Sequence, residues 1–104
     1  MGEYKIEVAV RAKRDMCEIY AYIADTIKEP NIADRLLDKI EAQIRTLNKM
    51  PFRQPVERDE QLKLRNLRKV MVDNYLVFYT VNEKTATVFI VRVLYARRDW
   101  VNLL

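Results

Sequence analysis

A chain of 104 residues, half apolar and one third charged, has room for one hydrophobic core, because a domain of this size buries only about 60 to 70% of its unfolded surface. A single cysteine, Cys17, excludes an internal disulfide, and the lack of histidine excludes the usual Cys/His zinc site, so neither a metal nor a cofactor is expected. The net charge of +4 is unevenly spread: residues 1–60 carry 11 basic and 12 acidic side chains, residues 61–104 carry 8 and 3, a pattern that fits either an anionic partner or a face charged for solubility.

Tyr4 to Val10 alternates in character and contains β-branched residues, which predicts a first strand. Ala12, Met16, Ile19, Tyr20, Ile23 and Ile27 then recur at three- and four-residue steps, an apolar stripe on a helix over residues 12–27. Glu29-Pro30-Asn31 breaks it. A second helix is expected to follow, capped by Asn31, with Asp34 in its first turn and Ile32, Leu36, Leu37, Ile40, Ile44 and Leu47 on its buried face, ending before Pro51. Residues 51–61 hold two prolines and many charges and read as a loop.

Three strands are predicted after it, over 64–72, 75–81 and 87–95, joined by connections short enough to make antiparallel hairpins. Gly2 is the only glycine, so Asn74 and Asn82 are the expected left-handed turn residues. The order β-α-α-β-β-β implies an α+β fold, one domain over residues 1–104, with two helices on one face of an antiparallel sheet. Uncharged stretches such as Tyr75–Asn82 fall far short of the roughly 18 residues of a membrane span, and the N-terminus shows no signal-peptide core, so the expected compartment is the cytoplasm, away from any membrane.

The segment Asn66 to Tyr79, with Asn74-Tyr75-Leu76-Val77-Phe78-Tyr79 at its end, and the segment Val91 to Trp100, with Arg97-Arg98-Asp99-Trp100 at its end, resemble the C-terminal half of RelE/ParE toxins. Members pair an Asn/Gly-Tyr-x-x-x-Tyr strand with a last strand closing on Arg-Arg-Asp-aromatic. The resemblance spans nearly the whole chain and implies the toxin of a bacterial type II toxin–antitoxin, plasmid stabilisation-like system, held by a cognate antitoxin.

That resemblance implies one of two mechanisms. RelE-like members cut messenger RNA on the ribosome with strand-borne basic side chains; ParE-like members poison DNA gyrase through a binding surface. Lys69 stands where nuclease members carry a basic residue, but Leu76 and Ala96 replace their arginines and no aromatic residue follows Trp100. No catalytic residue is therefore assigned. Gyrase poisoning is placed first, ribosome-dependent messenger cleavage second, and an inactive or non-toxic nucleic-acid-binding domain third.

Lys63, Arg65, Arg68 and Lys69, a basic run without an intervening acid, are the first candidates for target contact, or alternatively edge-strand charges that prevent aggregation. Strand parity puts Arg68 on the face opposite Lys63, Arg65 and Lys69. Arg92 is the one charge in the strand 88–94. Alternation groups it with Val88, Ile90 and Leu94, away from the helices, where it binds target or antitoxin, or pairs with an acid of this chain. Arg97 and Arg98 complete the basic set, Asp99 being expected to order one of them and Trp100 to pack against the sheet edge or first helix. Leu76 and Phe78, opposite Tyr75, Val77 and Tyr79, would be exposed unless covered, and are assigned to an antitoxin segment, with burial by the long loop as the alternative.

Overall fold

Ile6 and Val8 alternate with Lys5 and Glu7, giving β1 (Lys5–Val8) one half-buried apolar face and one exposed charged face. The computed structural model describes residues 3–58, 65–98 and 100–104, except the side chain of Val101. After Ala9 the chain enters α1 (Val10–Ala21), extended by a π-helical turn over Tyr22–Thr26 in which the Ile27 N–H donates to the Tyr22 carbonyl at 3.0 Å. Lys28, at φ 63°, turns the chain into α2 (Pro30–Thr46).

The start of α2 differs from expectation. Pro30 takes the first helical position, where its preset φ fits and its missing N–H would have had no partner. Asn31 therefore lies inside the helix, and Asp34 falls beyond its first turn. Asp34 instead accepts a hydrogen bond of 2.8 Å from the Tyr20 hydroxyl, tying α2 to α1. The expected stripe holds at Leu36, Ile40, Ile44 and Leu47, all buried, and Ala33 joins it, whereas Ile32 is half exposed.

The remaining strands are β2 (Arg68–Val72), β3 (Tyr75–Asn82) and β4 (Thr87–Tyr95), followed by a short helix, α3 (Trp100–Leu103). Leu64, the expected start of β2, lies outside the described residues. The strand begins later, since Asn66 adopts φ 54° and breaks extended pairing just before it. The sheet order is β1-β4-β3-β2. The hairpins β2–β3 and β3–β4 are antiparallel, but β1 lies parallel to β4, so the sheet is mixed. Two helices, a loop and the β2–β3 hairpin separate those two strands, and a connection of that length permits parallel pairing where a tight turn cannot.

Asp73 (φ 52°) and Ala86 (φ 50°) take the left-handed positions expected of Asn74 and Asn82. In the two-residue Asp73-Asn74 connection only the first position has positive φ, the type II′ pattern. The Asn82 side-chain oxygen is used differently, accepting from the Thr85 N–H at 3.2 Å.

One irregularity sets the site. Phe78 pairs with Arg92 and Tyr79 with Ile90, leaving Val91 as an extra residue in β4. A bulge of this kind inverts the parity of the strand residues beyond it. Val88, Ile90 and Val93 consequently share the helix-side core with Val70, Val72, Val77 and Tyr79, in place of the unbroken alternation expected along this strand.

The sheet buries both faces. On the helix side, the Tyr79 ring is fully buried and its hydroxyl donates to the Pro51 carbonyl at 3.0 Å, pinning the loop to the core. Tyr79→Phe is expected to lower stability by about 1 kcal/mol, read as a lower urea midpoint, because the Pro51 carbonyl loses its donor. Burial pushes the Tyr79 phenol up, with Arg68 and Arg53 opposing it less strongly. Stability from this group is thus full below about pH 10 and falls as pH rises through its higher folded-state value, a loss that Tyr79→Phe should remove.

Candidate functional site

Opposite the helices, Leu67, Leu76, Phe78 and Leu94 form a second buried cluster. Leu76 and Phe78 are 4% and 0% exposed, so the open face expected for them does not exist. Among the described residues the cover includes the chain's own C-terminal segment: Trp100, Leu103 and Leu104 pack on the cluster, with the Trp100 ring 5.3 Å from that of Phe78. Packing of partly buried Trp100 against an aromatic neighbour helps to hold a helix too short to be stable by itself.

Three of the predicted basic residues meet the same segment. Lys69 lies 4.6 Å from the centre of the Trp100 ring and 3.2 Å from a Glu57 carboxylate oxygen. Arg65 donates to the Leu104 main-chain oxygen at 2.6 Å, and Arg92 donates to the Leu103 carbonyl at 2.8 Å. Arg65, Lys69, Leu76, Phe78 and Arg92, separate in sequence, are therefore brought together around residues 100–104. Arg68 is not among them. Its parity takes it to the helix side, where its guanidinium sits 5.1 Å over the Phe52 ring and donates to the Gln54 carbonyl. Arg97 and Arg98 are exposed at the end of β4. Lys63, and Asp99 with its expected arginine contact, lie outside the described residues.

Arg92 occupies the point where β1 ends. The pairing of β1 with β4 stops at Val8 opposite Ile90, leaving the next part of that β4 edge without a strand. Asp15 of α1 fills the gap. Its carboxylate accepts from the Val93 N–H at 3.0 Å and from Arg92 Nε and Nη2 at 2.7 and 3.0 Å, while Arg11 approaches within 3.5 Å. Asp15 is 4% exposed, and its pairing follows the rule that a buried charge requires compensation. The chain's own acid is thus the partner of Arg92, the alternative weighed from sequence. Asp15 escaped sequence reasoning, although an acid at the spacing of an apolar stripe was the available signal.

On the helix side of that edge lies an open groove of about 850 Å³. It runs between the α1–α2 hairpin and the sheet, bounded by the Asp73-Asn74 turn and the end of β4. Ile19, Ile23, Leu36, Tyr75 and Tyr95 line it, and half-exposed Tyr22, Ile27 and Ile32 stand at its mouth. Tyr75 and Tyr95 meet edge to face at 5.5 Å. Burial chiefly, and the neighbouring phenols secondarily, push the Tyr75 hydroxyl up, so it stays protonated at neutral pH. The rim carries Glu18, Glu29 and Asp73 together with Arg35, Lys39 and Arg98, Lys39 and Asp73 being paired at 3.3 Å.

Periodicity alone does not reveal this groove. Its mark in the structure is Ile27 and Ile32, placed on the helix stripes by sequence yet half exposed on either side of the Pro30 turn. Apolar walls with a rim of both charges accommodate an amphipathic peptide segment. Among the described residues no three Cys, Asp or Glu side chains converge as a metal site, and no helix is long and apolar enough to cross a membrane.

The comparisons agree with this architecture. The family described as "ParE toxin of type II toxin-antitoxin system, parDE" matches residues 6–100. The fold is similar to the chromosomal ParDE toxin–antitoxin system of Pseudomonas aeruginosa, at TM-score 0.74 and 15% identity over 91% of this chain and 98% of that one. It is also similar to a RelBE toxin–antitoxin complex from Mycobacterium tuberculosis, at 0.63 and 21% over 91% and 93%. A mutant of the Escherichia coli toxin RelE in the free state is similar at 0.61 and 17%, over 99% and 93%. No curated protein sequence matches the chain.

Proposed function

Because the chain belongs to the ParE toxin family of type II toxin–antitoxin systems, we propose that it arrests bacterial growth by poisoning DNA gyrase in the cytoplasm, and that a cognate antitoxin restrains it by seating a segment in the groove between the α1–α2 hairpin and the sheet. The family match over residues 6–100 carries this reading. The chemistry of the outer face supports it. Two positions at which the superfamily's nucleases carry arginine hold Leu76 and Ala96, and Leu76 is buried in the outer core. Lys69, the remaining strand-borne cation at such a position, is neutralised by Glu57 and stacked on Trp100. Neither arrangement favours holding the scissile phosphate of a message, which needs preorganised cations. Arg98, on the rim of the groove, and Arg97 next to it in the chain are both exposed and are the proposed contacts with the target.

The test compares purified components: gyrase with supercoiled DNA in one tube, and translating ribosomes with message in the other. The expected result is trapped DNA breaks or blocked supercoiling with intact message. New 5′ ends in ribosome-bound message, abolished by Lys69→Ala, would replace this reading with messenger cleavage.

The antitoxin seat has its own test. Ile32 is 49% exposed at the mouth of the groove, so Ile32→Asp should leave folding nearly unchanged. It should nevertheless weaken antitoxin binding by about 10- to 100-fold, as expected for a charge placed against an apolar anchor. Calorimetric titration showing equal affinity would remove the groove from the interface.

A further inference from the structure

Arg92 touches two things that otherwise lie on opposite sides of the sheet. Through Nε and Nη2 it grips Asp15, which lines the groove, at 2.7 and 3.0 Å; through Nη1 it holds the Leu103 carbonyl of the outer cover at 2.8 Å. A guanidinium is planar and rigid, so fixing two of its nitrogens on one carboxylate fixes the direction of the third. Asp15 is in turn fixed by the Val93 N–H at the open β4 edge.

We infer that the Asp15–Arg92 pair is a strut coupling the groove to the C-terminal segment, so that an occupant of the groove that shifts α1 or engages Asp15 controls whether residues 100–104 stay seated over Lys69 and Phe78. A change in the carboxylate turns the guanidinium and withdraws its Nη1 from Leu103. The coupling runs equally in reverse, because linkage between two equilibria is reciprocal: unseating the segment loosens the hold of Arg92 on Asp15. The responding element is α3 with its short tail, whose described contacts include the packing of Trp100, Leu103 and Leu104, Lys69 over the Trp100 ring, and hydrogen bonds from Arg92 and Arg65. The consequence for regulation rests on the groove being the antitoxin seat. The coupling itself does not, and it is measured in the unliganded chain.

Trp100 is the only tryptophan, so intrinsic fluorescence reports the seat of the segment. Asp15→Asn keeps the shape of the side chain and removes its charge; Arg92→Lys keeps the charge and removes the fork. In both, at retained far-ultraviolet circular dichroism, the expected result is a red shift of Trp100 emission and steeper acrylamide quenching. From the other end, Trp100→Ala, which takes nothing from the helix-side core, should accelerate hydrogen exchange at the Val93 amide while leaving the amides of β1 unchanged. Trp100 emission and quenching like wild type in folded Asp15→Asn and Arg92→Lys, or unchanged Val93 exchange in Trp100→Ala, would overturn the coupling. If the antitoxin binds elsewhere while these shifts are present, the groove assignment fails and the strut stands.

Discussion

Replacing Arg92 by alanine is expected to destabilise the protein by about 3–5 kcal/mol, the cost of stripping a buried charge of its partner. The remaining Asp15 carboxylate is 4% exposed and would keep only the Val93 N–H and a long contact to Arg11. Against a typical domain stability of about 5–15 kcal/mol, this leaves little margin. Urea unfolding should show the midpoint falling with little change in slope, since the surface exposed on unfolding is nearly the same. Arg92→Met paired with Asp15→Leu should recover much of the loss, because two apolar side chains remove the unpaired charge along with the pair. A change below about 1 kcal/mol in Arg92→Ala would class the contact with exposed surface pairs and contradict its burial.

Phe78→Ala is the second large effect, also about 3–5 kcal/mol for removal of an aromatic side chain from a closed core. Phe78 is 0% exposed and bears on Leu67, Leu76, Leu94 and the Trp100 ring, so its loss leaves a cavity that both the sheet and the C-terminal segment would have to collapse into. Phe78→Leu, nearer in volume, should cost less than about 1.5 kcal/mol. The pair of variants separates two readings of this face. If Phe78 were waiting for a partner rather than buried within the chain, alanine there would hardly move the thermal midpoint.

Local pattern made much of the fold legible. The runs 75–81 and 87–95 are recognisable because β-branched and aromatic residues sit between short turns, and β3 (Tyr75–Asn82) and β4 (Thr87–Tyr95) match them to within one residue. Parity alone places Arg68 apart from Lys69, since both lie in one regular strand. The site was less legible. An apolar residue announces burial but not its cover, so Leu76 and Phe78 read the same whether a partner or the chain's own C-terminus lies on them. Asn74 and Asn82 are the chemically reasonable turn residues, yet Asp73 and Ala86 carry the positive φ, because strand register fixes which residue must bend.

The sequence by itself determined the order of the two long helices and four strands, most of each apolar helix stripe, the excess of basic residues after residue 60 and the motifs of the toxin family, all of them properties of neighbouring residues or of composition; the closing helix α3 it did not foretell. Tertiary structure alone decided the parallel seat of β1 on β4, the bulge at Val91, the Asp15–Arg92 pair joining residues 77 positions apart, and the groove. Periodicity specifies which side of an element is apolar. Which element it meets is settled only when the whole chain closes one core, and a polar group such as Asp15 then takes its place from the unpaired strand edge that the closure leaves behind.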